Sequence, residues 1–199
     1  MTFLFATTNP NKVREVRHAL RAAAPRNGVP YDLITLADVG SLPEPEETGT
    51  TYWENARIKA LAYAHATGLA TIAEDSGFEV DALGGAPGVQ SARFLGAATS
   101  YPDRFAEIYR RLASHGSSAR FVTALAVARG HELLFETEST IAGVVAPEPR
   151  GSYGFGYDPI FLYPPLGGTI AELSDDQKST VSHRARAFRD LHRWLTTRE

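Results

Sequence analysis

The chain of 199 residues contains no cysteine. Disulfide staples, thiolate metal centres and a thiol nucleophile are therefore excluded, and the absence suits a reducing compartment. Long apolar runs are missing as well. The opening stretch "MTFLFATTNPNK" turns polar after its sixth residue, too early for a membrane span or a signal-peptide core, so a cytoplasmic protein with no membrane partner is expected. Nor is there an excess of positive charge. Twenty Lys and Arg against 23 Asp and Glu give a net charge of -3, which offers no general field for a nucleic-acid backbone. Repeats and low-complexity tracts are lacking, and the Pro/Gly clusters are too short to be linkers, so residues 1–199 are expected to form a single domain.

What remains is an ordinary globular composition, 43% apolar and 22% charged, enough to bury a sizeable core. Residues 2–6 read as a buried strand, and Val13, Val16, Leu20 and Ala24 continue with helical spacing. Thr51 and Glu54 form a capping box for a second helix whose end is marked by Gly68. The strand "LATIA" follows, with Glu74 and Asp75 expected at its end and a turn at Ser76 and Gly77. Pro102 suits the first position of a further helix ending near Gly116. Residues 119–146 read as two long strands joined near Gly130, and Ser182 as the cap of a last helix, basic through Arg184, Arg186, Arg189, Arg193 and Arg198. Strands alternating with helices, then a hairpin, predict an α/β protein with a mixed sheet.

Four features carry candidate chemistry. In "TTNPNK", Thr7, Thr8, Asn9, Pro10, Asn11 and Lys12 lie at a strand-to-helix turn. Asn9 could simply cap the helix, or free N–H groups with Lys12 could cradle an anion. The acidic loop Glu44, Glu46 and Glu47 and the pair Glu74–Asp75 could supply the carboxylate oxygens that a hard divalent cation prefers, with Asp75 holding metal or accepting a proton from water. "GFGYDPIF" spaces aromatic residues by glycine; Phe155, Gly156, Tyr157 and Asp158 could face a flat heterocycle, while the alternative makes Phe155 and Tyr157 core residues and Asp158 a turn residue. In "QKSTVSHRAR", Lys178, His183 and Arg184 gather positive charge near a helix start, where cations oppose the helix dipole unless an anion joins them. Phosphates, a base and Mg²⁺ would satisfy all four, so a nucleoside triphosphate is the simplest ligand.

The segments "TTNPNK", "EETGTTYWENARIKA", "AEDSGFEVDALGGAPGVQSARF", "GFGYDPIF" and "DQKSTVSHRARAF" resemble, in order and over nearly the whole chain, the inosine/xanthosine triphosphate pyrophosphatases, also called the HAM1 or non-canonical purine NTP pyrophosphatase family. The resemblance implies a homodimeric, Mg²⁺-dependent enzyme with a long mixed sheet, flanking helices and two lobes around a central cleft. It would hydrolyse ITP, dITP and XTP to the monophosphate and pyrophosphate. Carried onto this sequence, Thr7 to Lys12 and Lys59 would bind the triphosphate, Asp75 would be the catalytic carboxylate and a metal ligand, and Glu46 the other metal-associated carboxylate. Ser76 would touch substrate, Phe155 to Asp158 would hold the base, and Lys178, His183 and Arg184 would complete the pocket. The family commonly writes Asp where Glu74 stands. A related pyrophosphatase of the Maf type and a catalytically silent nucleotide sensor are the competing readings.

Overall fold

The computed structural model describes residues 2–23, 31–112 and 116–197; Ala24 and Arg198, counted in two of the helical patterns, lie outside them. The elements run β1 (Thr2–Phe5), α1 (Pro10–Ala23), β2 (Asp32–Thr35), α2 (Leu36–Val39), α3 (Tyr52–Thr67), β3 (Ala70–Val80), β4 (Pro87–Gly88), α4 (Tyr101–Arg111), β5 (Ser118–Arg129), β6 (Glu132–Val145), β7 (Phe161–Tyr163), β8 (Gly168–Thr169), α5 (Asp175–Val181) and α6 (His183–Thr196). The strands form one open mixed sheet in the order β2-β1-β3-β5-β6-β7-β8, with β4 paired to β3. β1 is parallel to both β2 and β3, whereas β7 is antiparallel to β6 and β8.

Two compact units emerge: Met1–Asp75, Thr123–Ser139 and Ser182–Glu199 form the first, and Ser76–Val122 with Thr140–Val181 the second. Both are built from non-contiguous pieces of chain, because β3, β5 and β6 each give residues to both. In the first unit, α1 packs along α6. Phe5 meets Phe188 edge to face at 5.2 Å, inside a cluster that includes Phe3, Val16, Ile72, Leu125 and Leu191. Each fully buried side chain of this kind contributes about 1.5–3 kcal/mol, so the core is held chiefly by such residues. The second unit has its own apolar cluster around Phe78, which stacks on Tyr157 at 5.0 Å and meets Phe161 edge-on.

Local signals held at α3. Thr51 caps it, Glu54 completes the box, and Gly68 ends it in the left-handed region at φ 70°. Two expectations about element limits need correction. Pro102 is the second residue of α4, which Ser100 caps, and the helix ends at Arg111, well before Gly116. More consequentially, the strand begun by "LATIA" does not stop at Glu74. It continues to Val80 through Asp75, Ser76 and Gly77. What ends there is its parallel pairing with β1, whose last register pair is Phe5 with Ile72. Beyond that point β1 turns away into the Thr7–Lys12 loop, and β3 runs on without β1, past the strand end where parallel sheets present ligand sites.

Candidate active site

The first unit assembles the polar centre. Ala6 N–H donates to the Ile72 carbonyl at 2.8 Å, fixing the start of the loop, and Thr7 Oγ1 accepts from Asn9 N–H at 3.2 Å. Asn9 Oδ1 in turn accepts from the N–H groups of Asn11 at 2.9 Å and Lys12 at 3.4 Å, and Pro10 opens α1 without a donor to satisfy. Asn9 therefore caps the helix itself, using N–H groups that an anion would otherwise meet.

Successive side chains of a strand point to opposite faces. That alternation separates the adjacent carboxylates Glu74 and Asp75, which look to different helices. Glu74, 2% exposed, accepts from Arg184 Nε at 2.8 Å and 3.0 Å and lies 3.3 Å from Lys12 Nζ. Burial pushes its carboxyl up, but Arg184 and Lys12 outweigh this and hold it down at about 2. Arg184 also donates to Glu15 Oε2 at 2.8 Å, and Ser182, the cap of α6, donates to Glu15 Oε1 at 2.6 Å. The anion that the basic start of α6 calls for is thus provided by the protein: Arg184 is 2% exposed and grips two carboxylates. Glu74 is its counter-ion. His183 is buried beside it in the first turn of α6.

Asp75 has the opposite environment. Its Oδ2 accepts from Asn55 Nδ2 at 3.1 Å, its Oδ1 is 3.7 Å from Lys59 Nζ, and Lys59 is spent first on Glu47 at 2.5 Å. Burial raises the Asp75 pKa; Lys59 pulls it down and Glu47 pushes it back up. Here the cations do not outweigh burial. Asn55, 1% exposed, also accepts from Gly49 N–H at 2.8 Å, so one amide ties the acidic loop to the carboxylate. Asn55 was missed in the sequence, where it follows the capping Glu54 and reads as one more helical polar residue. Glu46, the residue expected to accompany Asp75, is exposed; Glu47 is the loop carboxylate that reaches Lys59 and acts on Asp75.

Among the described residues no group of three or more His, Cys, Asp or Glu side chains is arranged to hold a metal ion. Two carboxylates sharing one lysine nevertheless fit Mg²⁺, which takes one or two carboxylates and completes its shell with water and phosphate oxygens. A cavity of about 970 Å³ in the same unit reaches from Thr7 and Thr8 along the α1 side chains Arg14, Arg17 and Arg21 to Glu44. Its basic wall suits an anionic chain.

The second unit holds the aromatic-glycine segment. Asp158 accepts from Phe155 N–H at 2.8 Å and from Lys178 Nζ at 2.6 Å, and the ammonium sits 4.9 Å from the centre of the Phe155 ring. Gly154, at φ 76°, is required there because a Cβ would overlap the Asp158 carboxylate. Asp158 thus orders the loop and neutralises Lys178. Tyr157 is a core residue: it is 3% exposed, stacks on Phe78 and donates its hydroxyl to the Ser91 carbonyl at 2.9 Å. Phe155 and Gly156 remain partly exposed, as does Ser76 in β3.

A sequence model of the Ham1 family matches residues 3–194. The chain belongs to the Ham1 family. Among curated Ham1 relatives, dITP/XTP pyrophosphatases of Exiguobacterium sp. and Thermus thermophilus are 43% and 45% identical, each aligned over 96% of this chain and over 95% and 90% of their own lengths. A solved HAM1 protein from Coxiella burnetii superposes with a TM-score of 0.86 at 35% identity, covering 99% of both chains. The Staphylococcus aureus Ham1 protein gives 0.85 at 32% identity over the full length of both. Among the described residues no helix is long and apolar enough to cross a membrane.

Proposed function

We propose that the chain is a Mg²⁺-dependent pyrophosphatase of non-canonical purine nucleoside triphosphates, converting dITP, ITP and XTP to the monophosphate and pyrophosphate. The observation that carries this reading is the pairing of an undercompensated Asp75 with Glu47 and Lys59, in a chain 43–45% identical to relatives named for that activity.

Burial leaves Asp75 more basic than an ordinary carboxylate, which suits it to take a proton from the water that attacks the phosphorus. Asn55 orients its carboxylate. Lys12 and Lys59 offset charge on the phosphates, while Arg14, Arg17 and Arg21 draw the tail in by a field that salt would screen. Mg²⁺, held by Asp75 and Glu47, would polarise the phosphate oxygens and acidify a bound water. No covalent intermediate is needed. Phe155 offers a ring face to the base, and the Lys178 ammonium beside that ring is the donor suited to a keto oxygen. An adenine amino group would leave such a donor unpaired, a mismatch that recognition sites built on hydrogen bonds reject strongly.

The test is a panel of dITP, XTP, ATP and dGTP with product analysis. Monophosphate plus pyrophosphate, released from dITP and XTP at least about 100-fold faster than from ATP and only with Mg²⁺, is expected. Diphosphate plus phosphate would overturn the cleavage point, and tight ITP binding without turnover would favour the sensor reading.

A further inference from the structure

Helix α4 carries a guanidinium into the interior of the second unit. Arg104 is 2% exposed; its Nη1 donates to the Ser91 carbonyl at 3.2 Å, its Nη2 to the Gly96 carbonyl at 3.1 Å, and its Nε is buried without an acceptor. Among the described residues no carboxylate lies within ion-pair reach of it. The acids of its own helix are occupied elsewhere, Asp103 by the Ser100 hydroxyl and Glu107 by Arg110 and Arg111. Asp158, in the segment that packs nearby, is taken by Lys178. A buried, unpaired charge is costly, and neutral donors would tie the same two carbonyls. The full charge therefore calls for a role beyond the tie.

What surrounds it points to that role. The Arg104 guanidinium carbon stands 4.8 Å from the centre of the Tyr101 ring, and Tyr157 shares the Ser91 carbonyl with Arg104. Tyr101 meets Tyr157 edge to face at 5.4 Å, and a Cβ placed on Gly156 would come within 3.7 Å of the Tyr101 hydroxyl. The Tyr101 ring thus reaches from the charge to Gly156, and Tyr157, itself part of the 155–158 segment, meets the charge at the shared carbonyl. Burial pushes both phenols up, so they stay neutral through the working pH range.

We propose that Arg104 is a specificity-determining residue, whose unpaired positive charge sets the potential at the base-binding segment and favours purines that carry negative charge on the ring. The inference rests on the reading of residues 155–158 as the base site. It accounts for xanthine, the purine that most readily loses a ring proton, being accepted beside neutral hypoxanthine. Across a low-dielectric layer, the field reaches an anionic ring more strongly than a keto dipole.

Binding of XMP and IMP to the intact protein, measured as pH is raised through xanthine ionisation, tests this without substitution. XMP is expected to tighten relative to IMP; weakening would overturn the proposal. In Arg104→Gln the XTP to dITP ratio of kcat/KM is expected to fall about fivefold, while Arg104→Lys keeps it. An unchanged ratio in folded Arg104→Gln, or a lost ratio in folded Arg104→Lys, would also overturn it, with melting temperature reporting folding. Phe155→Ala separates the two readings. It is expected to weaken XMP and IMP alike; no effect on either would sink the base site itself, whereas a clear effect with a constant Arg104→Gln ratio would sink only the role of Arg104.

Discussion

Glu74 and Asp75 are neighbours with opposite electrostatic fates. Glu74 is overcompensated by Arg184 and Lys12 and stays ionised; Asp75 is buried, shares Lys59 with Glu47 and holds its proton more tightly than usual. Asp75→Asn is therefore expected to lower kcat by at least about 100-fold, the scale of a lost general base. The same change should raise the melting temperature measured without Mg²⁺, because an amide still accepts from Asn55 but carries no buried charge. A Tm below that of the wild type would contradict the charge imbalance. Asp75 must be ionised to act, so kcat/KM should rise with pH through a value above the ordinary 3.8, and this acid limb should be altered in Glu47→Gln, which relieves the repulsion. An unchanged limb in that variant would detach Glu47 from Asp75.

At the scale of elements, α3 was legible because its stop and start signals are local: a capping box and a left-handed glycine need only their own neighbours. β3 was misread for the complementary reason. "EDSG" has the composition of a turn, but in the sheet β3 stays paired with β5 and, from Phe78, with β4, while Lys12, Asn55 and Arg184 from α1, α3 and α6 satisfy its carboxylates, none of which a local pattern records. The site was legible to the same degree. The structure does gather Asp75 with Lys59 and Glu74 with Lys12, whereas the burial of Arg184 and Tyr157, expected to meet substrate, and the exposure of Glu46, expected to meet metal, depend on tertiary packing that the sequence does not display. Gly49 shows how closely loop and helix are fitted. A Cβ there would lie 2.6 Å from both Asn55 Oδ1 and Glu54 Cβ, so Gly49→Ala is expected to displace the amide that holds Asp75. Its kcat should drop several-fold with KM for dITP changed less; wild-type kcat would mean that the loop yields without moving Asn55.

For the whole molecule, acid is the expected weakness. Among the described residues Asp38, Glu54, Glu107 and Glu172 are held low at the surface by hydrogen bonds, and Glu74 in the interior by its cations, whereas Asp75 is raised. Groups whose native pKa is depressed stabilise the fold above their unfolded value and lose that contribution as pH falls through the native one. Thermal unfolding should therefore be nearly flat above pH 4.5 and decline between 4.5 and about 2, the window set by Glu74. A plateau persisting to pH 2 would show that the Arg184 network contributes little.

The continuity of β3 sets one last constraint. Because its residues alternate between faces, deleting or inserting a single amino acid between Ala70 and Ala73 would send an acidic side chain towards α3 or α6 from the wrong side and turn Phe78 out of its stack. Over those four positions the gene can exchange letters but cannot change their number.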